Sequence, residues 1–514
     1  LRAAIERMQP VLEAKNAASA PITAVIGHSH MDTAWLWPVD ETIRKCARTY
    51  ANAVRLMDEY PEDRFFQSSA YHTEMIRRHY PELFDKMREK IATGQYEPGG
   101  AVWVECDCNM VSGESLVRQF LWGQKYNQKH FGLRSNNFWL PDTFGYNAAI
   151  PQIMRGSGVR YFFTTKLSWN DTNVFPHDTF WWEGLDGSWV FTHFNATHCE
   201  PDPETLLRYT VGNDDPTFTQ ESKDKHVSRR KLIAYGYGDG GGGPQFEHLE
   251  LVRREHDLDG CPRTEHRSVG EFAEEMERNA HDVPVHAGEL YLELHRGTLT
   301  NRHEIKRNNR KGEVALHDLE GLTVLDAIER DVPADDTAVR PLMETLLKNQ
   351  FHDILPGSSI SRVHEESIAE MHRMIAEAKQ QQNAVMNAAG EGVTVYNPLG
   401  FARNDTIYLP FAAPVWGQTF ENVFGQTVTA IEGVRLAPME TRTLQDGDLH
   451  PATDPVFTVT DDGLETPFYR VTWDENGGFA SLFDKRVCRE VRSGLPLGTF
   501  VLAEDVPANW DNWD

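Results

Sequence analysis

Between Pro21 and Arg296 the sequence alternates short apolar runs with longer amphipathic stretches, and this alternation constrains the fold more than any other feature. Seven runs have the composition of buried strands: ITAVIG (22–27), RFFQSS (64–69), AVWVE (101–105), NFWL (137–140), RYFFTT (160–165), KLIAYGYG (231–238) and ELYLEL (289–294). The stretches between them have apolar residues at helical spacing, for example over 40–59, 73–90 and 114–129. Such alternation is typical of an α/β fold, in which helices cover a parallel sheet that is open or closed into a barrel.

Two later regions have different patterns. From Glu304 to about Gly390 the sequence is helical throughout, most clearly over 338–351 and 360–389. After Gly390, β-branched and aromatic runs are separated by Gly, Pro and Asn, which predicts an antiparallel β domain. At roughly 150 residues per domain, a chain of 514 residues suits about three domains. We predict an α/β domain over 1–300, a helical domain over 301–389 and the start of a β domain, apparently incomplete, over 390–514.

The charge balance excludes some classes of partner. The chain has 51 Lys and Arg against 77 Asp and Glu, which gives a formal net charge of −26. Nucleic acids and anionic membrane surfaces repel such a chain, so we expect neither as a partner. The sequence contains no run of about 18 apolar residues, so we predict no membrane-spanning helix. The 6 cysteines are too few for a disulfide framework, and we therefore expect a reducing, cytoplasmic compartment.

The segment GHSHMDTAWLWP, from Gly27 to Pro38, follows the first predicted strand and has the densest chemical signal. Functional groups cluster at the carboxyl ends of strands in parallel α/β folds. His28, His30 and Asp32 alternate, so an extended chain would point them to one side. An imidazole and a carboxylate two residues apart can hold one divalent ion. The alternative is that these polar residues merely end a strand.

Three further segments carry candidate residues. Asp142 follows the strand and proline of NFWLPDTFGY, where an ordinary turn or helix-cap role is the alternative. His352 and Asp353 stand where Pro356 and Gly357 break a helix in KNQFHDILPGSS, although a lone helical histidine is usually structural. Asp239 precedes four glycines in YGYGDGGGGP, a loop that lacks the G-K-[ST] ending of phosphate sites and that would let a bulky substrate approach. A flexible connection with an ordinary Asp is the alternative reading of this loop.

Aromatic residues crowd the same loops. An apolar ring face beside a carboxylate is suited to binding sugar rings, although most aromatic residues of any chain belong to the core. Arg296, after the last predicted strand, either orients a substrate or forms an ion pair with the acidic site. The candidates for substrate contact are Trp35, Trp37, Phe144, Tyr146, Asp353, Arg296 and His28.

Six segments in order resemble glycoside hydrolase family 38, the class II α-mannosidases, and look most like its cytosolic or vacuolar branch. They are GHSHMDTAWLWP, GGAVWVECDCNMVSGESLVRQ, FWLPDTFGY, YGYGDGGGGP, YLELHRGTLT and NQFHDILPGSSI. The resemblance implies a seven-stranded β/α barrel as the catalytic domain, a three-helix bundle and C-terminal β domains of the antiparallel sandwich type. Members are much longer than 514 residues, so the chain resembles the catalytic core with a partial first β domain.

The resemblance also implies roles for single residues. The family's zinc ligands fall on His30, Asp32, Asp142 and His352, and Asp142 also matches the nucleophile. The zinc would hold the 2- and 3-hydroxyls of the sugar, and Co²⁺ is a possible substitute because such sites discriminate weakly between divalent ions. Asp239 matches the acid/base, but the processing enzymes carry an adjacent Asp pair where this chain has Gly240. His28 would orient one of the ligands.

The sequence therefore predicts a zinc-dependent retaining exo-α-mannosidase that removes terminal α-linked mannose from mannose-containing oligosaccharides. Retention of configuration requires two carboxyl groups, one that attacks and one that protonates the leaving oxygen. Two alternatives stay open. One is another metal-dependent barrel hydrolase of the deacetylase or amidohydrolase type, which would use metal-bound water and would not need Asp239. The other is an inactive sugar-binding protein. A homo-oligomer is possible for a chain of this kind.

Overall fold

A computed structural model describes residues 2–212, 223–387, 392–445, 456–492, 494, 497–507 and 509–514. The chain divides into two compact units. The first comprises residues 1–323, 327–381 and 509–514, and the second comprises residues 324–326 and 382–508.

The strands of the first unit are β1 (Ile22–His28), β2 (Phe65–Ser69), β3 (Tyr96–Val102), β4 (Asn137–Trp139), β5 (Tyr161–Thr164), β6 (Thr179–Glu183), β7 (Trp189–Phe194), β8 (Ala196–Cys199), β9 (Arg230–Tyr235), β10 (Arg263–His266) and β11 (Val285–Ala287). Its helices are α1 (Arg2–Leu12), α2 (Val39–Glu59), α3 (Ala70–His79), α4 (Pro81–Ala92), α5 (Gly113–Phe131), α6 (Ile150–Gly156), α7 (Pro203–Thr210), α8 (Phe246–Glu255), α9 (Val269–Asn279), α10 (His303–Glu329), α11 (Val339–Asn349) and α12 (Ser361–Asn387). The last residues of α12 and residues 324–326 of α10 are assigned to the second unit.

The strands form two sheets. In the first, the order β3-β2-β1-β9-β8 is parallel throughout, and β10 also pairs with β1. In the second, the order is β11-β6-β7-β5-β4, and only the β6–β7 pair is antiparallel. Both sheets contribute to one apolar cluster, with Ile26, Phe66 and Leu232 from the first and Trp139 and Phe163 from the second. Because this core holds the strands side by side, their carboxyl ends present the following loops together.

The sequence predicted most of these elements correctly. Five of the seven predicted strands correspond to β1, β2, β4, β5 and β9, and the strand predicted over 101–105 shares only residues 101–102 with β3, which begins at Tyr96. The strand predicted over 289–294 is wrong, because the chain there only bridges Leu290 to Tyr146 after the short β11. The helix predicted over 73–90 is two helices, since Pro81 has no backbone N–H to continue α3 and instead begins α4. The sequence analysis did not identify β6, β7, β8, β10 or β11.

The structure does not confirm the predicted seven-stranded barrel and three-helix bundle in detail. Among the described strands of the first unit, the ladders make two sheets, so a single closed barrel of seven strands is not confirmed. The long helices α10, α11 and α12 cover the stretch that the sequence predicts as helical. The predicted helix end at Ala389 and the domain boundary at 389/390 lie outside the described residues. In the part of the chain that the structure describes, no helix is both long and apolar enough to cross a bilayer.

The second unit consists of antiparallel sheets, as the sequence predicts. Its strands are β12 (Thr394–Tyr396), β13 (Arg403–Leu409), β14 (Gln418–Glu421), β15 (Thr427–Leu436), β16 (Thr441–Thr443), β17 (Thr458–Thr460), β18 (Gly463–Glu465), β19 (Tyr469–Trp473), β20 (Phe479–Asp484) and β21 (Arg489–Glu490). They pair as β12-β16, β13-β15-β14 and β17-β18-β19-β20-β21. Ile431, Val434 and Leu409 lie in the core of the three-stranded sheet.

Candidate active site

His30, Asp32 and His352 form a buried cluster at the carboxyl end of β1. Their exposed fractions are 0%, 2% and 0%, and one ligand atom from each lies within 4.8 Å of the others. Asp32 Oδ1 lies 3.2 Å from Nε2 of His30 and 3.4 Å from Nε2 of His352. None of these three atoms makes a hydrogen bond. Buried polar atoms without partners are costly, and a shared cation would satisfy all three, so the donor set fits a divalent metal ion.

The charges around the cluster also favour a cation. Burial alone would lower the pKa of His30, but the carboxylates of Glu105 and Asp32 outweigh it and hold this pKa well above its usual value. Burial likewise opposes a charge on His352, yet Asp32 and Asp353 raise its pKa to about 9. The pocket thus requires positive charge, which either protons or a metal ion can supply.

Asp142 lies beside this cluster, after β4 and Pro141. Its Oδ2 is 4.0 Å from Nε2 of His352, and its Oδ1 accepts a hydrogen bond from Nζ of Lys166 at 2.7 Å. Burial raises the pKa of Asp142, but the positive charges of Lys166, His30 and His352 more than offset this and lower the pKa below its usual range. Asp142 is therefore an ionised carboxylate at the edge of the candidate metal centre.

Asp239 approaches the same cluster from the loop after β9. Its backbone carbonyl accepts the N–H of Asp32 at 3.3 Å, and its Oδ1 lies 3.4 Å from Nδ1 of His198. The imidazole of His198 stacks on that of His30, with ring centroids 5.3 Å apart. Burial raises the pKa of Asp239, and the charges of Asp32 and Asp142 add to the shift, while His30 and His198 oppose it. A carboxyl with a raised pKa is suited to carry a proton near neutral pH.

Gly238, directly before Asp239, permits this approach. A Cβ on Gly238 would lie 2.3 Å from the ring of His198, so only glycine allows the imidazole to rest against this loop. Asp239 itself has a left-handed backbone with φ of 51°, as does His198 with φ of 60°. Such conformations are uncommon for residues with side chains and occur often at functional sites.

Several predicted substrate residues lie near the cluster. The ring of Phe144 is 6.2 Å from that of His352, and Asp353 Oδ2 is 3.9 Å from His352 Nε2. Burial raises the pKa of Asp353 to about 7, and Ser358 donates a hydrogen bond to its carboxylate. Trp35 and Trp37 pack edge to face, and Nζ of Lys45 lies over Trp37 while it donates to the carbonyl of Gly240 at 3.2 Å.

Three other residues predicted to contact substrate have different surroundings. Tyr146 is wholly buried, and its hydroxyl is engaged with the Leu140 carbonyl and Thr164, which makes it a core residue. Nε of Arg296 donates a hydrogen bond to the hydroxyl of Tyr291, and its guanidinium pairs with Asp171, so the alternative of an ion pair with the acidic cluster is wrong, while contact with substrate stays a prediction. His28 is buried between Phe66 and Trp139, and its Nδ1 lies 3.0 Å from the Phe66 carbonyl. Tyr146 and His28 share one cause, since residues next to a loop motif often face the core beneath it, whereas the side chain of Arg296 is 51% exposed.

The sequence analysis missed three residues of the site. Glu105 lies 3.1 Å from Nδ1 of His30, Lys166 pairs with Asp142, and His198 contacts Asp239. Glu105 and Lys166 stand at or directly after predicted strands, so the strand-end rule applied to Asp142 would also have selected them. His198 belongs to β8, which the sequence did not predict, and no signal in the sequence selected it.

Comparisons with known proteins show which families and proteins the chain is similar to. Residues 21–289 match the N-terminal domain of glycosyl hydrolases family 38, and residues 293–388 match the alpha mannosidase middle domain. Over 512 residues the chain is 38% identical to Alpha-mannosidase 2C1 of Homo sapiens, which covers 95% of the chain and 46% of the relative. Over 365 residues it is 40% identical to Alpha-mannosidase of Saccharomyces cerevisiae, covering 68% of the chain and 33% of the relative.

A solved structure supports the fold. The alpha-mannosidase from Enterococcus faecalis V583 superposes with a TM-score of 0.72 at 16% sequence identity, over 91% of this chain and 61% of that one. The chain spans about half the length, or less, of the curated relatives named above.

Proposed function

The chain belongs to glycoside hydrolase family 38, and from this membership and the geometry of its site we propose that it is a zinc-dependent retaining exo-α-mannosidase. One observation carries the proposal. Three buried ligand atoms of His30, Asp32 and His352 converge without hydrogen bonds, directly beside the ionised carboxylate of Asp142. A metal centre next to an anionic nucleophile suits glycosyl transfer, and the relatives are named as alpha-mannosidases.

The proposed metal ligands are His30, Asp32, Asp142 and His352. Two imidazoles and two carboxylates match the nitrogen and oxygen donors of catalytic zinc sites, which keep positions open for substrate. When bound, zinc would supply a positive charge for the 2- and 3-hydroxyls of the terminal mannose. Co²⁺ is an alternative occupant, because imidazole and carboxylate donors bind both ions.

Asp142 is the proposed nucleophile. Lys166 keeps its carboxylate ionised, so it can attack the anomeric carbon without first losing a proton. Asp239 is the proposed acid/base, since burial and the neighbouring carboxylates favour its protonated form. Asp239 would protonate the leaving oxygen and then take a proton from the water that hydrolyses the intermediate.

The remaining proposals concern substrate and organisation. We propose that Trp35, Trp37, Phe144 and Asp353 contact terminal mannose of an oligosaccharide. Phe144 and Asp353 lie beside His352, and Trp37, which packs on Trp35, lies under Lys45, whose Nζ donates to the carbonyl of Gly240. We also propose three domains, over 1–300, 301–389 and 390–514. We propose a cytoplasmic location as well, with which the free cysteines of the described residues are consistent.

Proton NMR of the reaction tests the proposal. We expect an aryl α-mannoside to release α-mannose first, with the β anomer appearing only as the product mutarotates, because two inversions retain configuration. First release of β-mannose would contradict the retaining mechanism. Release of acetate from an acetylated sugar, with no mannose formed, would instead favour the deacetylase alternative, and saccharide binding without turnover would favour a sugar-binding protein.

A further inference from the structure

Glu105 is a buried carboxylate that faces the candidate metal centre from behind. It follows β3, is 2% exposed, and its Oε2 lies 3.1 Å from Nδ1 of His30, a close charge contact in which neither atom makes a hydrogen bond. Ser68, at the end of β2, donates a hydrogen bond to Oε1 of the same carboxylate. The side chain of Glu105 therefore has a fixed position between the serine hydroxyl and one imidazole.

The main chain of Glu105 contacts the second imidazole. Its carbonyl oxygen accepts the backbone N–H of His352 at 3.1 Å and lies 3.0 Å from Nδ1 of the same residue. One residue thus faces the Nδ1 atoms of both histidines, with its carboxylate on His30 and its carbonyl on His352. Both Nε2 atoms remain free and lie within 3.4 Å of Asp32 Oδ1.

We propose that Glu105 is the positioning residue that selects the tautomer of both histidines, so that each presents a bare Nε2 to the metal ion. A neutral imidazole carries one proton. The negative carboxylate 3.1 Å from Nδ1 of His30 and the carbonyl oxygen 3.0 Å from Nδ1 of His352 both favour that proton on Nδ1. A carboxylate behind a ligand histidine also fixes its ring orientation and increases its basicity. The inference rests on the proposed function to the extent that both histidines hold a divalent cation.

Substitution Glu105→Gln tests the carboxylate contact. The amide keeps the size of the side chain but can turn its NH₂ toward His30, which removes the preference for a proton on Nδ1. We expect zinc affinity of the full chain, measured by competition with a chelating dye, to fall about 10- to 100-fold. The visible spectrum of the Co²⁺-loaded protein should also change, because the ligand field depends on how His30 is oriented.

Glu97→Gln is the matched control. Glu97 is a carboxylate on β3 that accepts the N–H groups of Val269 and Gly270 at the start of α9, away from the cluster. We expect this variant to bind zinc as the wild type does, even if it unfolds at lower urea concentration. Zinc affinity of Glu105→Gln equal to that of the wild type, in a folded protein, would overturn the inference.

Two additional measurements keep the result interpretable. If Glu105→Gln does not fold, Ser68→Ala removes the hydroxyl that holds the carboxylate, and it should weaken zinc binding by a smaller factor. An unchanged affinity in that variant would count against the inference. If the wild type binds zinc but hydrolyses no mannoside, the proposed function fails while the affinity comparison still decides the role of Glu105.

Discussion

The imidazoles of His30 and His352 stack with ring centroids 5.5 Å apart and planes inclined by 17°, and a single oxygen of Asp32 lies within 3.4 Å of both Nε2 atoms. The stacked rings direct both Nε2 atoms toward the same oxygen of Asp32. Because these atoms are buried and make no hydrogen bonds, they are costly without a cation. The arrangement therefore connects the stability of the cluster to metal binding.

Removal of the nucleophile should abolish turnover. In Asp142→Ala we expect kcat to fall by about a thousandfold or more, because no carboxylate remains to attack the anomeric carbon. Added azide should restore part of the activity and yield a mannosyl azide, detected by mass spectrometry. Asp178→Ala is the control, since Asp178 is another lysine-paired carboxylate, 2.6 Å from Lys231. Full activity in Asp142→Ala would exclude Asp142 as nucleophile.

The acid/base role of Asp239 predicts a dependence on the leaving group. For Asp239→Ala we expect kcat/KM on an unactivated mannoside to fall about 10²- to 10⁴-fold, because the leaving oxygen is no longer protonated. A dinitrophenyl mannoside, whose leaving group needs no proton, should lose much less. Equal losses on both substrates would show that another group, for example one near His198, donates the proton.

Lys166 should set the acidic limb of the pH profile. Asp142 acts as an anion, so activity is lost as the pH falls through its pKa, and Lys166 holds that pKa low. In Lys166→Met we expect the acidic limb of kcat/KM to move upward by about one pH unit or more. Lys231→Met is the matched control, because Lys231 is equally buried and paired with Asp178. The profile of the control should keep its acidic limb, and an unmoved limb in Lys166→Met would contradict the assignment.

Asp63 predicts a pH dependence of stability away from the site. Burial raises the pKa of Asp63 to about 7, although Tyr235 donates a hydrogen bond to it at 2.8 Å. Between pH 4 and 7 the unfolded chain ionises this group while the folded chain keeps it protonated, so rising pH destabilises the fold. Relative to Asp63→Asn, we expect the wild type to lose about 4 kcal/mol of unfolding free energy over this range. Urea unfolding at several pH values measures the difference, and a constant difference would contradict the raised pKa.

The sequence could predict the parts of the site that depend on local pattern. His30, Asp32 and Asp142 follow strands with strong apolar composition, and the structure places all three at one edge of the strands. The spatial position of His352 depends on the backbone contacts of residues 350–352 with residues 105–107, after β3, and only the resemblance to a known family connected it to the other three. The position of polar residues at strand ends therefore predicted where the candidate site lies, but it did not identify every residue of that site.

Other features required the three-dimensional structure. Whether Tyr146 faces a cleft or the core depends on the packing of Thr164 and Leu140 around its hydroxyl, which no periodicity reveals. His198 lies in β8, a strand of four residues that is too short to show a clear alternation. The contact of Glu105 with two histidines combines a side chain with a backbone carbonyl, and a backbone contact leaves no signal in residue types.

Metal removal and restoration test the central claim most directly. Mannose release from an aryl α-mannoside should disappear after dialysis against a chelator and return when one equivalent of zinc per chain is added. Atomic absorption on the same samples should show zinc lost and regained in parallel. Mannose release that continues at full rate in protein shown to be free of metal would contradict the proposed zinc centre of His30, Asp32, Asp142 and His352.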